Sequence, residues 1–90
     1  MKSETLSFIQ ERMPQGTSEI CHYYEKTQQL FFILNGVATF EINDTEYSVK
    51  ENEGIHINPG TAHKIKNNGK EDLNFLVISG PKSHGDRINI

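Results

Sequence analysis

No apolar segment of this chain runs far before an Asn, Gly or Pro step cuts it, and that punctuation limits what it can fold into more than any other feature. Between residues 30 and 78 the cuts fall at Asn35-Gly36, Asn43-Asp44, Asn58-Pro59-Gly60 and Asn67-Asn68-Gly69-Lys70. Such residues tolerate or impose the backbone angles of tight turns. Between the cuts the pattern has period two: Ala38, Phe40 and Ile42 alternate with Val37, Thr39 and Glu41, and Ile55 and Ile57 flank His56. Residues 30–34, Leu-Phe-Phe-Ile-Leu, are apolar throughout, and Asn43-Asp44 reads as the tip of a hairpin between Phe40/Ile42 and Tyr47/Val49. No window longer than about ten residues carries an i, i+3, i+4, i+7 apolar stripe free of Gly or Pro. Short strands at near-even spacing predict an all-β barrel or sandwich.

Ninety residues make one domain, and a core of that size commonly gains from a metal or from a second subunit. We expect a single domain over 1–90, with an N-terminal strand or arm at 1–15, a barrel at 16–79 and a tail at 80–90. A net charge of −3 without a basic run argues against nucleic acid and against an anionic membrane as partners. With no apolar run of about 18 residues and no signal segment, the chain is expected to stay in the cytoplasm. Cys21 is the only cysteine, so neither an intrachain disulfide nor a Cys-rich zinc site is available. In strand geometry Leu30, Phe32 and Leu34 share the face that does not fill the barrel, and no helix is predicted to cover it. A second copy of the chain is the expected cover, giving a homodimer; the other candidate is the segment from Leu6 to Ile9. The tail, with Pro81, Gly85, Asp86-Arg87, Ile88 and Ile90, is expected to pack on the barrel or on the neighbouring subunit. No Gly-x-Ser-x-Gly elbow, phosphate-cradling Gly-rich loop or spaced carboxylate pair is present.

Two separated stretches carry the chemistry. In the first, Gly16 is followed after five residues by His22, Tyr24 comes two later, Gln29 stands after four more, and Gly36 closes the stretch after a further six. In the second, Asn52-Glu53 leads to Asn58-Pro59-Gly60, then Thr61-Ala62-His63, and Asn67. With this spacing the pair resembles the two motifs of the cupin superfamily. Tyr24 stands where the family has a second histidine, Gln29 where it has a glutamate, and Asn58 at the first proline position. The match covers residues 16–67, and the flanking strand pattern extends it over most of the chain. The resemblance implies a cupin-type double-stranded β-helix, a jelly-roll-like barrel.

It also implies a divalent transition metal, Zn, Ni, Mn or Fe, with His22, Gln29 and His63 as its ligands and a small polar organic molecule as the bound partner. Imidazole is the commonest protein ligand for such metals, and the amide oxygen of Gln29 can coordinate without supplying a charge. Period-two alternation sends His22 and Tyr24 to one face and Cys21, Tyr23 and Glu25 to the other. Gln29, Phe31 and Ile33 likewise share a face, so Phe31 and Ile33 are expected as apolar pocket residues below Gln29. A phenol is a poor ligand at neutral pH, and Tyr24 is read as an acid or an orienting donor to a bound molecule. His56 is a reserve ligand that faces outward if Ile55 and Ile57 face inward. His84 and Arg87 are expected in tail-locking or surface roles.

Two functions stay open on these residues. One is a metal-dependent isomerase, dioxygenase, decarboxylase or lyase, or a non-catalytic metal-bound binding protein. The other is a metal-free module holding a sugar or small acid by hydrogen bonds. A purely structural dimer is disfavoured, because polar residues clustered inside a small barrel destabilise it unless they serve a ligand.

Overall fold

The computed structural model describes residues 7–19, 22–24, 26–80 and 87–89, with residues 22, 24 and 87–89 described as backbone. Among these residues there are nine strands and no helix: β1 (Ser7–Met13), β2 (His22–Tyr24), β3 (Gln28–Asn35), β4 (Ala38–Ile42), β5 (Thr45–Val49), β6 (Gly54–Ile57), β7 (His63–Lys66), β8 (Leu73–Gly80) and β9 (Arg87–Asn89). The all-β expectation holds. The strands form two antiparallel sheets, one ordered β1-β8-β3-β6 and the other β5-β4-β7-β2-β9. Among the described residues no helix is long and apolar enough to cross a membrane.

The turn residues act where the punctuation places them. Asn43 and Asp44 have φ of 49° and 66° and link Ile42 directly to its cross-strand partner Thr45, as a two-residue hairpin loop requires. Asn35-Gly36 does a different job from a hairpin tip: β3 and β4 belong to different sheets, so the chain crosses between layers there. Gly36 has φ of 93°, and a Cβ on it would stand 2.9 Å from the Asp72 carbonyl oxygen. No other residue fits that crossing without moving the loop before β8.

Alternation then fills the space between the sheets. Met13, Phe31, Ile33, Ile57, Leu73, Phe75 and Val77 come from one sheet, and Ala38, Phe40, Val49 and Ile65 from the other. Phe31 packs edge-on against Phe40, with centroids 5.0 Å apart, and lies 5.9 Å from Phe75. The opposite face of the second sheet is polar: Lys66 Nζ lies 2.6 Å from Glu46 Oε2 and 3.6 Å from Glu41 Oε2. The hydrogen bond from Lys66 holds the Glu46 carboxyl below the usual carboxylate range and raises the Lys66 ammonium.

Residues 7–9 do not lie over the outward face of the first sheet. β1 extends that sheet instead, pairing with β8 from Ser7↔Ser79 to Met13↔Leu73, and residue 6 lies outside the described residues. The outward face therefore carries Phe8 and Leu30 exposed with Phe32, Leu34, Leu76 and Ile78 half-buried. Of the tail, β9 pairs with β2; Pro81, His84, Gly85, Asp86 and Ile90 lie outside the described residues, as does Cys21.

One buried polar side chain ties the loops together. Asn67 is fully buried; its Nδ2 donates to the carbonyls of Met13 (3.0 Å) and Glu71 (2.9 Å), and its Oδ1 accepts from Gly69 N at 3.1 Å. Its backbone carbonyl accepts from Gly16 N and its backbone N–H donates to Thr17 O.

Candidate metal and ligand site

The two motif stretches are brought side by side by backbone pairing. After Gly16 and Thr17 exchange bonds with Asn67, Ser18 bridges Lys66 and Glu19 N donates to Ile65 O at 3.0 Å. Further along the same strand, His22 and His63 stand opposite one another in register. β2 is held on its other side by β9, through His22↔Asn89, Tyr23↔Ile88 and Tyr24↔Arg87. In the facing sheet, Gln29 is in register with Ser79 of β8 and Ile57 of β6. At one end of the barrel the inward row of each sheet carries polar side chains, Gln29 and Ser79 beside Ile57 in one and His63 beside Ile42 in the other, and the next row inward is apolar, with Phe31 paired to Val77 and Ile55 in one sheet and Phe40 to Ile65 in the other.

His63 is 1% exposed, Gln29 5% and Ser79 4%, and the three form a chain across the sheets. His63 Nδ1 lies 3.0 Å from the Thr61 carbonyl oxygen and Nε2 lies 3.1 Å from Gln29 Oε1. The amide Nε2 of Gln29 donates to Ser79 Oγ at 3.2 Å. In the tautomer that donates from Nδ1 to the Thr61 carbonyl, the neutral ring presents a lone pair at Nε2. Metal-binding imidazoles are oriented in this way, with the second ring nitrogen tied to a backbone carbonyl. The Phe31 ring closes the inner side of His63 edge-on, with centroids 5.9 Å apart.

The distance between His63 Nε2 and Gln29 Oε1 is that of an ordinary hydrogen bond and is also compatible with two donors to one cation. Two lone-pair atoms that ligate one ion at about 2.1 Å and about 90° to one another stand about 3.0 Å apart; Nε2 and Oε1 stand 3.1 Å apart. Among the described residues no group of three His, Cys, Asp or Glu side chains is placed to hold a metal ion. A centre here therefore depends on an amide oxygen as well as on imidazole. Its donors are neutral, so a bound dication keeps its full charge and draws in an anionic ligand.

The other expected residues divide clearly. Phe31 lies against His63 as a pocket residue would, whereas Ile33 is fully buried deeper in the apolar core. His56 is exposed and in register with Leu30 on the outward face, where its Nε2 lies 2.7 Å from Gln28 Oε1. It stands apart from the Gln29–His63 pair, and the reserve-ligand role is set aside on that ground. His22 and Tyr24 are placed by their backbone next to His63 and Arg87 respectively. Ser79 escaped the sequence reading, because a serine ending an apolar run has no motif to mark it. The signal was its place in the alternation Leu73, Phe75, Val77, Ser79, which puts its hydroxyl on the inward face.

Comparison with known proteins adds to this geometry. The family model described as "Cupin domain" matches residues 9–79. An uncharacterized protein of Methanocaldococcus jannaschii is 31% identical over 81 residues, covering 89% of this chain and 65% of that protein. An oxalate-binding protein of Thermotoga maritima is 28% identical over 78 residues, covering 87% of this chain and 64% of that protein. The chain thus spans a little under two thirds of the length of these curated relatives. Among solved structures, an uncharacterized protein with a double-stranded β-helix domain from Klebsiella pneumoniae superposes with a TM-score of 0.89 at 17% identity, covering 99% of this chain and 73% of that one.

Proposed function

The chain belongs to the cupin family, with the double-stranded β-helix fold, and from that premise we propose that it binds a small carboxylate at a divalent transition metal held by His22, Gln29 and His63. The observation that carries this reading is the pairing of His63, its Nδ1 tied to Thr61, with Gln29 Oε1 across the sheets at 3.1 Å. A neutral donor set favours an anion as the exchangeable ligand, and the similarity to an oxalate-binding protein supports a small acid. The metal supplies Lewis acidity when bound. Tyr24 donates a hydrogen bond to the bound molecule, and Phe31 keeps the inner side dry. Isomerase, dioxygenase, decarboxylase and lyase chemistry are all compatible with such a centre. The cytoplasm and a single domain over 1–90 complete the reading.

Elemental analysis of untagged protein, beside calorimetric titration with oxalate before and after chelation, tests it. Near-stoichiometric metal, with oxalate bound only by the loaded form, is the expected result. Oxalate bound equally well by metal-stripped protein would favour the alternative, a metal-free module holding small acids through Tyr24, Gln29, His22 and His63. Exchange of Gln29 for Glu is expected to tighten Zn(II) binding by about tenfold or more, because it adds an anionic oxygen at unchanged spacing. A titration in which Gln29→Glu leaves the affinity unchanged or weaker would remove Gln29 from the ligand set.

The protein acts as a homodimer in this reading. Phe8, Ile78 and Leu30 stand in register across three strands of the outward face, with Leu76 and Phe32 paired in the next row. Beside them a hollow of about 250 Å³ is lined by Gln28, Gln29, Leu30, His56, Ile78 and Gly80. A contiguous apolar sheet face of this kind is rarely left to solvent. Phe32→Asp places a charge at its centre and is expected to give a monomer in size-exclusion with light scattering; an unchanged dimer would move the interface elsewhere.

A further inference from the structure

The sequence holds two Asn-Gly steps, Asn35-Gly36 and Asn68-Gly69, and the fold treats them differently. Asparagine before glycine is the pairing most prone to lose its side-chain amide, because no side chain shields the glycine nitrogen from the asparagine Cγ. On losing its proton to water, that nitrogen attacks Cγ; the bond from Cγ to Nδ2 breaks and ammonia leaves, giving a cyclic imide. Water then opens the ring at either carbonyl, to aspartate or to isoaspartate. The reaction needs only water and a backbone free to bring nitrogen and Cγ together.

Asn35-Gly36 lacks that freedom. Asn35 is the last residue of β3, in register with Asn74, and its Nδ2 donates to the Asp72 carbonyl at 3.3 Å. Gly36 is buried in the crossing between the sheets, where a Cβ would stand 2.9 Å from that same carbonyl oxygen. Asn68-Gly69 lies between β7 and β8, outside any strand, and Asn68 is exposed. One contact restrains it: Gly69 N donates to Asn67 Oδ1 at 3.1 Å. That bond turns the attacking nitrogen's proton toward Asn67 and must break before the imide can form.

We propose that Asn68 is a site of spontaneous deamidation, with the Asn67 side chain as its brake. The residue that joins the end of β1 to the loop before β8 thus also governs how fast that loop alters covalently. Isoaspartate at 68 carries the former side-chain methylene in the main chain, and the added atom falls between Asn67 and its partners Gly69 N and Glu71 O. The product therefore loosens the anchor that slowed its formation. The proposal stands apart from the metal reading of the site.

The test is peptide mapping by mass spectrometry of the full chain, incubated for weeks at neutral pH in buffer and in guanidinium chloride, on wild type, Asn67→Ala and Asn68→Ser. In denaturant both steps are expected to convert at similar rates, since only the fold distinguishes them. Folded wild type should convert at Asn68 well ahead of Asn35, and more slowly than the unfolded chain. Hydrogen exchange of wild type gives a reading that needs no variant: the Gly69 amide should be protected although its loop is open to water. Folded Asn67→Ala should convert at Asn68 roughly 3- to 10-fold faster, the worth of one hydrogen bond, with Asn35 unchanged. Asn35 is the internal control, because loosening of the whole fold releases both steps together. Aged wild type should lose denaturation midpoint, and aged Asn68→Ser should keep it. Asn35 converting as fast as Asn68 in folded wild type, an unprotected Gly69 amide, no gain at Asn68 in folded Asn67→Ala, a gain there shared by Asn35, or an isoaspartate form as stable as fresh protein would overturn the proposal.

Discussion

His63→Ala is expected to leave purified protein without metal and to weaken added Zn(II), Ni(II), Mn(II) or Fe(II) by at least about a hundredfold. Loss even of a group that merely orients a metal ligand weakens affinity by about 10- to 100-fold, and this substitution deletes a proposed ligand itself. It also releases the Thr61 carbonyl and leaves Gln29 Oε1 facing a gap beside Phe31. Elemental analysis and calorimetry check the result, with the melting temperature of metal-stripped protein as the control for folding. Metal retained near one per chain in His63→Ala would place the centre away from the Gln29–His63 pair.

Asn67→Ala is expected to lower the free energy of unfolding by about 2–4 kcal/mol. Three hydrogen bonds end at once, to Met13 O, Glu71 O and Gly69 N, and each is worth about 1 kcal/mol, more where the abandoned partner stays buried. Met13 is such a case, being 7% exposed; the loop of Gly69 and Glu71 is open to water and limits the loss. A fall in urea midpoint at constant m-value is the reading that bears this out. A change below about 0.5 kcal/mol would mean that the loops hold their shape without Asn67.

Asn67 also shows how far the sequence could be read. The spacing from Gly60 through His63 to Asn67 marked the residue, but its work, joining the end of β1 to the loop before β8, is a contact between residues 54 positions apart. The strands were legible because period two and Asn/Gly turns are local: Ala38–Ile42, Thr45–Val49 and Gly54–Ile57 fall where the alternation puts them. Gln29, Phe31 and His63 were singled out on local grounds too, by motif spacing or alternation, and all three are buried. The layer change at Gly36 was not legible, since a turn residue does not say which sheet the next strand joins. The fate of the N-terminal strand was equally hidden. β1 alternates too weakly to choose between covering a sheet and extending one, and pairing with β8 decides it through backbone bonds that any sequence can make. Ser79 needed the register with Gln29 before its hydroxyl meant anything.

Gln29 and Ser79 belong to one sheet and His63 to the other. A ligand held between them, as proposed, would rivet the two layers together beside the His63–Gln29 contact and apolar contacts such as Phe31 on Phe40. A rivet of this sort binds only while both layers are in place, so a ligand at about a hundred times its dissociation constant adds about 2.7 kcal/mol to the folded state. In a domain this small that is a large share of the whole. Supply of the ligand and survival of the fold are then one variable rather than two.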